Sequence, residues 1–513
     1  MIPHIFNLSL KEIEDFMNKH LNVKQDKKVE SGEVFTPFHL VVEMVNTFPK
    51  SVWKNPNLKW LDPGCGVGNF SMVVFYYLDK GLKNWESNSS KRRNHIIKNM
   101  LYMIEITPNN VKIVKELFGE NVNVAQHDFL LEKDKWKTLF EVDKFDIILG
   151  NPPYNKNGMR GKGRSNIGLT VIWSKFVDLS LLSLNPKGFC LFFTPNSWNE
   201  LKSPLSKHIM QHQILVLKNF DTPTAYKLFK KKAGSLPLCY YLLQKVKPTK
   251  KTKIYDSFTE DFVDFDIYKY EFIPNKNIDL VKKVLSKTKE NLDDYYYFTP
   301  PKVKKNKETF FDTYSNSHPY PLINYVHKKI YISYSSSPSF LQNGRPKLVF
   351  PNYSMGYPIL DVDGILDVGG RSSYVLYIKD NDPKKLKKIQ EFFLTNLALT
   401  LINSLKTAQK FLSTRTFTLF PDASKLSISI NDKNLESYYK LSSKDKTCIE
   451  HQIEKGEGNL TQQRREEIMN FSLESYLSNN KIEEIKQKIK KSGVLQKSLK
   501  RKGKRNNKTK KNR

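Results

Sequence analysis

The chain has 513 residues, of which 39% are hydrophobic and 12% aromatic, so it is not a disordered protein and is long enough for two or three domains. Lysine and arginine total 84 against 52 acidic residues, and the formal charge of +32 favours a polyanionic partner, above all nucleic acid. A codon usage rich in lysine and asparagine is the alternative source of part of this excess.

The cysteine content and the hydropathy indicate the cellular compartment of the protein. The four cysteines show no pairing or metal-ligand spacing, so we expect a reducing compartment and no metal site. Cys190 and Cys239 lie within apolar runs and are predicted to be buried thiols. We see no signal peptide and no apolar stretch long enough to span a bilayer. We therefore expect an intracellular protein, in the cytoplasm or nucleoid, or in the nucleus or a viral factory if the host is eukaryotic.

The first half of the chain alternates short apolar runs with amphipathic segments. This alternation predicts an α/β fold, with a Rossmann-like, mostly parallel sheet covered by helices on both faces. In such folds ligands bind beyond the carboxyl ends of the strands. The predicted strands are 58–61, 101–104, 122–125, 145–149, 189–193, 214–217 and 238–243, and the predicted helices are 70–78, 109–117 and 169–184.

A polar, lysine-rich segment from Lys247 to Lys253 marks the predicted domain boundary. Residues 1–247 form the first predicted domain. Residues 254–475 are dense in aromatic residues and prolines, which predicts a mixed α+β domain whose topology the pattern does not give. Residues 476–513 are predicted to be a disordered basic tail. Its functional interpretations are nonspecific phosphate affinity or a nuclear address, and the alternative is a solvated tail without consequence.

A glycine-rich turn joins the first predicted strand to the first helix and reads Asp62-Pro63-Gly64-Cys65-Gly66-Val67-Gly68-Asn69-Phe70. Its glycines permit positive φ angles and a close approach of the backbone to a bound molecule, although an ordinary tight turn is the alternative. Two acids favour a binding site. Asp62 ends the first strand, and Glu105 ends the second, where a carboxylate can bridge two ribose hydroxyls. Neither Lys-Ser nor Lys-Thr follows the glycines, which argues against a triphosphate P-loop.

Two further pairs of residues suit a nucleotide-like ligand. Asp128 and Phe129 follow the third predicted strand and offer an acceptor and a ring for an adenine; a helix N-cap and a core position are their alternatives. Thr36 and Pro37 precede an apolar-periodic stretch, residues 40–48, for which helix initiation is the simplest explanation.

Asn151-Pro152-Pro153-Tyr154 follows the buried strand predicted at 145–149. Two consecutive prolines continue neither a sheet nor a helix, and they stiffen the backbone around Asn151. The segment therefore presents an amide, rigid carbonyls and an aromatic ring, which suit a grip on a flat group bearing an NH2. An ordinary strand-to-loop turn is the alternative.

Taken in order, these motifs resemble the S-adenosylmethionine-dependent DNA adenine-N6 methyltransferases of restriction-modification systems. The order is that of the gamma class, with cofactor motifs first, the catalytic motif next and a target-recognition domain last. The likeness covers about residues 30–245 and includes Gly32-Glu33-Val34-Phe35-Thr36-Pro37. One departure is Gly64-Cys65-Gly66-Val67-Gly68, where the family more often has Ala-Cys-Gly-Ser-Gly. Both differing residues are small or apolar and do not threaten cofactor binding.

The resemblance implies S-adenosylmethionine as the cofactor and gives its three parts separate partners. They are Thr36, Pro37, Asp62, Gly64 and Gly66 for the methionine part, Glu105 for the ribose hydroxyls, and Asp128 and Phe129 for the adenine. No metal and no covalent nucleophile is implied, because the sulfonium methyl is already activated and positioning supplies much of the rest.

For the target base, the resemblance implies that Asn151 and the Pro152 carbonyl accept hydrogen bonds from the amine. The N6 lone pair of adenine is delocalised into its ring, and two acceptors aimed at the amine hydrogens favour a more pyramidal nitrogen as the new bond forms. The base has to leave the duplex, and Tyr154 would replace its lost stacking. Phe229 stands where the family places a second stacking ring, with a core position as the alternative.

The resemblance implies a catalytic domain over residues 1–247 and a target-recognition domain over residues 254–475, acting as a monomer on double-stranded DNA, with a cognate restriction endonuclease as a candidate partner and no membrane. The same tetrapeptide occurs in RNA adenine methyltransferases and in protein glutamine methyltransferases. The basic second half favours DNA over glutamine, whereas RNA stays open. A fused endonuclease and a non-enzymatic DNA-binding protein on the same scaffold are further alternatives.

Overall fold

The computed structural model describes residues 4–18, 36–131, 134–155, 171–201, 203–229, 237–270, 272–292, 296–298, 310–326, 330–350, 357–368, 374–406, 414–454 and 461–492. The chain divides into two compact units, Met1–Asn275 and Lys276–Arg513. Within the described ranges, no helix is both long and apolar enough to cross a membrane.

The first unit is built on one large sheet. Its strands are β1 (Trp60–Asp62), β2 (Leu101–Glu105), β3 (Asn123–Gln126), β4 (Phe145–Gly150), β5 (Leu184–Pro195), β6 (Gln213–Phe220), β7 (Leu238–Gln244), β8 (Thr252–Asp256) and β9 (Asp261–Phe265). They lie in the order β3-β2-β1-β4-β5-β7-β6-β8-β9. Strands β1 to β5 pair in parallel, whereas β7 runs antiparallel between β5 and β6. The mostly parallel sheet predicted from the sequence is confirmed.

Helices flank this sheet, which explains its apolar strands. The helices are α1 (residues 10–18), α2 (Phe38–Val45), α3 (Asn69–Gly81), α4 (Ser89–His95), α5 (Pro108–Phe118), α6 (Lys135–Phe140), α7 (Trp173–Ser183), α8 (Pro204–Met210) and α9 (Thr222–Leu228). Every residue of β1 and β2 is buried, as expected of strands covered on both faces. Cys190 and Cys239 are fully buried as predicted, and burial raises the pKa of the Cys239 thiol to about 12.

The sheet topology places the glycine turn and the Asn-Pro-Pro-Tyr segment side by side. From β1 the chain builds β2 and β3 on one side, and it then returns to β4 and β5 on the other. The strand order therefore reverses between β1 and β4, which pair directly in parallel. Ligands of open α/β sheets bind at such a switch point, beyond the carboxyl ends of the strands. The glycine turn follows β1, and the Asn-Pro-Pro-Tyr segment follows β4.

The first unit continues past the boundary that the sequence suggested. Strand β8 pairs with β6 and strand β9 with β8, so the chain after Lys247 extends the central sheet, and the second unit begins only at Lys276. The alternation fades earlier because β9 is an edge strand on which most side chains are exposed or half-buried. An edge strand lacks the continuous apolar run by which the inner strands were recognised.

The second unit has the mixed α+β character predicted for it. Its strands are β10 (Tyr296–Phe298), β11 (Phe310–Phe311), β12 (Tyr320–Val326), β13 (Ile330–Ser335), β14 (Lys347–Phe350), β15 (Ile359–Asp361), β16 (Asp367–Val368) and β17 (Tyr374–Tyr377). They form two sheets, β10-β17-β14-β15 and β11-β13-β12-β16. Its helices are α10 (Ile278–Lys287), α11 (Pro383–Phe393), α12 (Asn396–Leu405), α13 (Asp432–Tyr439), α14 (Ser443–Glu454), α15 (Gln462–Met469) and α16 (Asn479–Lys491).

Helix α16 corrects the prediction of a disordered tail over residues 476–513. Its side chains Ile482, Ile485 and Ile489 are buried, and their spacing of three and four residues places them on one helix face. The high lysine content of this segment concealed the apolar stripe. Residues 493–513, the rest of the predicted tail, lie outside the described residues.

Candidate active site

The glycine turn is held open by the acid that ends β2. Gly66 and Gly68 have φ angles of 56° and 89°, which side chains rarely tolerate. The Gly66 amide donates to Glu105 Oε2 at 2.8 Å, and the Cys65 amide donates to the Ile104 carbonyl at 3.1 Å. The other carboxylate oxygen, Glu105 Oε1, accepts from the Thr107 amide at 2.7 Å. Buried Glu105 therefore anchors the turn, a role that the sequence did not suggest for it.

Asp62 is a buried acid at the end of β1, with 2% of its surface exposed. Its Oδ1 accepts from the Gly64 amide at 3.4 Å, and its Oδ2 has no hydrogen-bond partner in the described part of the chain. Burial raises the pKa of Asp62 to about 8; the Gly64 amide opposes this rise, and the nearby Glu105 adds to it. At neutral pH the carboxyl is therefore mostly protonated, and a cation placed beside it would favour its ionised form.

The glycine turn and the Asn-Pro-Pro-Tyr segment touch each other. A Cβ built on Gly150, the last residue of β4, would lie 2.8 Å from Asp62 Oδ1, so the backbone passes directly against that carboxyl. A Cβ built on Gly64 would lie 3.8 Å from Pro153 Cδ and 3.8 Å from the Phe176 ring. A glycine at a strand end is typical of such a close backbone approach.

Asn69 and Thr36 form a second contact at the glycine turn. The Asn69 side-chain Nδ2 donates to the Thr36 carbonyl at 3.3 Å. Both Thr36 Oγ1 and Asn69 Oδ1 are buried, and neither has a hydrogen-bond partner within the described ranges. Pro37 precedes α2, and its carbonyl accepts from the amides of Leu40 and Val41, as the helix-initiation interpretation requires. The preceding stretch, residues 32–35, lies outside the described residues.

Asp128 and Phe129 lie at the end of β3, and the structure gives each a structural role. Asp128 Oδ1 accepts from the Leu130 amide at 2.9 Å, which closes a local turn. Phe129 is 3% exposed and packs against Trp136 and Phe176, with ring centroids 5.9 Å and 5.5 Å apart. Phe129 therefore has the core position that was its alternative, whereas Asp128 closes a turn rather than capping a helix. The contact of these two residues with an adenine stays a prediction.

The Asn-Pro-Pro-Tyr segment begins at the carboxyl end of β4 and turns into the first unit. Asn151 is half-buried, Pro152 is buried and Pro153 is exposed. Tyr154 is 7% exposed, and its carbonyl accepts from the Ile172 amide at 3.1 Å. Burial, with a smaller effect of Cys239, raises the pKa of Tyr154 well above its ordinary value, so the phenol stays neutral. Residues 156–170 lie outside the described residues.

Neither of the two proposed stacking rings is openly exposed. Tyr154 is almost wholly covered, and its hydroxyl has no hydrogen-bond partner among the residues described. Phe229, which follows α9, is 4% exposed and packs on Phe193 with centroids 5.4 Å apart. Phe229 therefore has the core position that was its alternative, and stacking of either ring on a base stays a prediction. In the described ranges, no group of three His, Cys, Asp or Glu side chains is arranged to hold a metal ion.

Comparison with known proteins agrees with this geometry. Residues 58–229 match the family model described as Eco57I restriction-modification methylase. An adenine-specific methylase of Mycoplasma pneumoniae is 27% identical, with 42% of this chain and 68% of that protein covered. The modification methylase CviBIII of Paramecium bursaria Chlorella virus NC1A is also 27% identical, with 38% of this chain but only 47% of that protein covered.

Among solved structures, the Type IIL restriction-modification enzyme MmeI in complex with DNA is similar over 96% of this chain and 75% of its own, with 12% identity and a TM-score of 0.43. The family match is more specific, because it spans the glycine turn, Glu105, Asp128 and the Asn-Pro-Pro-Tyr segment. Residues 58–229 are therefore similar to Eco57I restriction-modification methylases, and this match and the two relatives support the expectation of a restriction-modification adenine methyltransferase.

Proposed function

We propose that the protein transfers a methyl group from S-adenosylmethionine to N6 of a flipped adenine at specific sites in duplex DNA. The observation that carries this proposal is the contact between the two motifs, with Gly150 against Asp62 and Pro153 beside Gly64. A turn suited to the cofactor and a segment suited to a planar amine thereby share one edge of the sheet. Two substrates that must meet in line can be held together there.

The polar groups at the turn fit the cofactor. S-adenosylmethionine, when bound, supplies a methyl group that is already activated by the sulfonium. Thr36 Oγ1 and Asp62 Oδ2 are buried polar atoms without partners in the described chain, as expected of groups that a ligand satisfies. We assign Thr36, Pro37, Asp62, Gly64 and Gly66 to the methionine part, Glu105 to the ribose, and Asp128 and Phe129 to the adenine of the cofactor.

The chain's own contribution to the reaction is to hold the target amine. Asn151, fixed between Gly150 and two prolines, offers its side-chain oxygen, and the Pro152 carbonyl offers a second acceptor. Hydrogen bonds to these two acceptors strengthen as positive charge develops on the amine nitrogen. They therefore stabilise the transition state more than they stabilise the bound ground state. We assign Tyr154 and Phe229 to stacking on the flipped base, which requires both rings to become more accessible than they are here.

The second unit is proposed as the target-recognition domain, and it carries a surface suited to phosphates. A groove of about 680 Å³ along α11 is lined by Lys384, Lys387, Lys388 and Glu391 together with Ser427 and Ser429. Lys384 and Lys387 are exposed, and the single carboxylate among the described residues of the groove, Glu391, has a pKa that burial raises and that the charges of Lys387 and Lys388 lower. Two lysines spaced three residues apart on a helix repel each other, and a bound phosphate backbone relieves that repulsion.

We further propose that the protein acts as a monomer beside a cognate endonuclease.

Transfer of a labelled methyl group separates DNA from the alternative substrates. Purified protein is incubated with labelled S-adenosylmethionine and, separately, with unmethylated duplex DNA, total RNA and ribosomal proteins. We expect label in DNA alone, as N6-methyladenine after nucleoside digestion. Label in RNA or in protein glutamine, with none in DNA, would replace this proposal with the corresponding alternative.

A further inference from the structure

We propose that Asn69 is a cofactor-positioning residue whose side-chain oxygen accepts a hydrogen bond from the ammonium group of the cofactor's methionine part. This inference rests on the proposed function, since it requires that the glycine turn binds S-adenosylmethionine. Asn69 is the first residue of α3 and directly follows Gly68, whose φ of 89° ends the turn. It therefore lies at the point where the backbone leaves the proposed ligand site and enters the helix.

The orientation of the Asn69 amide follows from its one hydrogen bond. The nitrogen donates to the Thr36 carbonyl at 3.3 Å, and a carbonyl can only accept, so the nitrogen occupies this end of the amide. The opposite end, Oδ1, is therefore an acceptor. It is buried and has no donor within the described residues. A buried acceptor left in this state is costly and calls for a partner.

Three unpartnered oxygens belong to this one region of the chain. Besides Asn69 Oδ1 they are Thr36 Oγ1, on the residue that Asn69 contacts, and Asp62 Oδ2, at the other end of the same turn. Two of these atoms are acceptors when Asp62 is ionised, and the third, a hydroxyl, both donates and accepts. A ligand that satisfies them has to bring N–H donors and positive charge. The ammonium group of a methionine moiety brings both.

The neighbouring helix end suits the other charge of the same moiety. No side chain caps the N-terminus of α3, which has 13 residues, so its first amides and its dipole favour an anion. An amino acid carries a carboxylate one carbon away from its ammonium group. The buried oxygens and the helix end together therefore match a zwitterion, with Asn69 at the junction between them.

The test compares ligands with and without the amino-acid part. S-adenosylhomocysteine carries the ammonium and carboxylate groups, whereas 5′-methylthioadenosine keeps only the nucleoside and the sulfur. For Asn69→Ala we expect calorimetry to give about tenfold or greater weakening of S-adenosylhomocysteine binding, as for loss of a hydrogen bond to a charged group. Binding of 5′-methylthioadenosine should change less than about twofold. Equal weakening of both ligands, or of neither, would overturn the assignment.

Two further variants keep the result interpretable. Asn69→Asp keeps an acceptor but cannot donate to the Thr36 carbonyl, so it should bind S-adenosylhomocysteine more tightly than Asn69→Ala. If both variants bind it equally weakly, Asn69 only tethers Thr36 and the proposal is wrong. Asn99→Ala, which removes an exposed amide bonded to His95, is the matched control and should bind both ligands like the wild type. A wild-type protein that binds neither ligand would instead contradict the proposed function itself.

Discussion

Replacing the buried acid at the end of β1 by its neutral isostere should stabilise the first unit in a pH-dependent way. Asp62 is 2% exposed, and burial raises its pKa from an ordinary value of 3.8 to about 8. At about 1.36 kcal/mol for each pKa unit, this rise corresponds to roughly 6 kcal/mol between the two protonation states, as an upper bound. Asp62→Asn removes the charge that the folded unit resists burying.

The sign of the pH dependence follows from proton binding in the two states. Between pH 3.8 and about 8, the carboxyl is protonated when the unit is folded and ionised when it is unfolded, so the wild type loses stability as pH rises. Above about pH 8 both states are ionised and the loss is complete. The advantage of Asp62→Asn over the wild type should therefore grow by roughly 1.4 kcal/mol per unit between pH 5 and 7 and level off above about 8.

Tryptophan fluorescence measures this unfolding in the unit of interest. All six tryptophans, Trp53, Trp60, Trp85, Trp136, Trp173 and Trp198, lie in the first unit, so denaturant titrations at pH 5, 6, 7, 8 and 9 report on it. The control is Asp143→Asn, where a side chain 91% exposed is changed and the free energy of unfolding should move by less than about 0.5 kcal/mol. A difference in unfolding free energy between Asp62→Asn and the wild type that is the same at pH 5 and pH 8 would mean that the pKa of Asp62 is not raised in the folded unit.

Three further experiments test Asp62, the close approach at Gly150 and the lysines of α11. Binding of S-adenosylhomocysteine should tighten as pH rises towards 8 and should release a proton, because the ammonium group of this ligand favours ionised Asp62. Calorimetry in buffers of different ionisation enthalpy measures both effects, and a pH-independent affinity without proton release would contradict this expectation. Gly150→Ala should lower the free energy of unfolding in denaturant by about 1–3 kcal/mol, because its Cβ would lie 2.8 Å from Asp62 Oδ1. Gly64→Ala, whose Cβ would have its nearest contacts at 3.8 Å, should be tolerated, and equal effects of the two variants would contradict the close approach at Gly150. Replacing Lys384 and Lys387 by Glu should reduce the steepness of the slope of log affinity against log salt concentration for duplex DNA by about 2, and it should leave the methylated sequence unchanged. An unaltered slope would exclude these lysines from phosphate binding.

The fold of the first unit was accessible from the sequence because its inner strands are buried on both faces. Such strands read as continuous apolar runs, and the seven predicted runs correspond to β1 to β7, of which β3 alone is an edge strand with half-buried and exposed side chains. The hairpin of β8 and β9 was missed because an edge pair carries exposed polar side chains. Six of the eight described strands of the second unit have only two to four residues, and local sequence pattern does not encode how such short strands pair over long chain distances.

The proximity of the glycine turn to the Asn-Pro-Pro-Tyr segment was also predictable from the sequence, whereas the roles of single residues were less predictable. Parallel strands bring their carboxyl ends to one edge, and this alone implies that Asp62 and Asn151 lie close together. The anchoring role of Glu105 and the contact of Asn69 with Thr36 depend on side-chain geometry that no spacing rule gives. The burial of Phe129 shows that one aromatic ring suits a ligand or a core equally well until its neighbours are known.

We propose that Asn151, at the end of β4, makes this chain an adenine methyltransferase acting on DNA. Methylation-sensitive sequencing of genomic DNA, from a host expressing either the wild type or Asn151→Ala, tests it most directly. The wild type should place N6-methyladenine within one recurring sequence, and Asn151→Ala should place none while still binding S-adenosylhomocysteine. Equal methylation by both proteins would contradict the role of Asn151, and the absence of N6-methyladenine with an expressed and folded wild type would contradict the proposed activity.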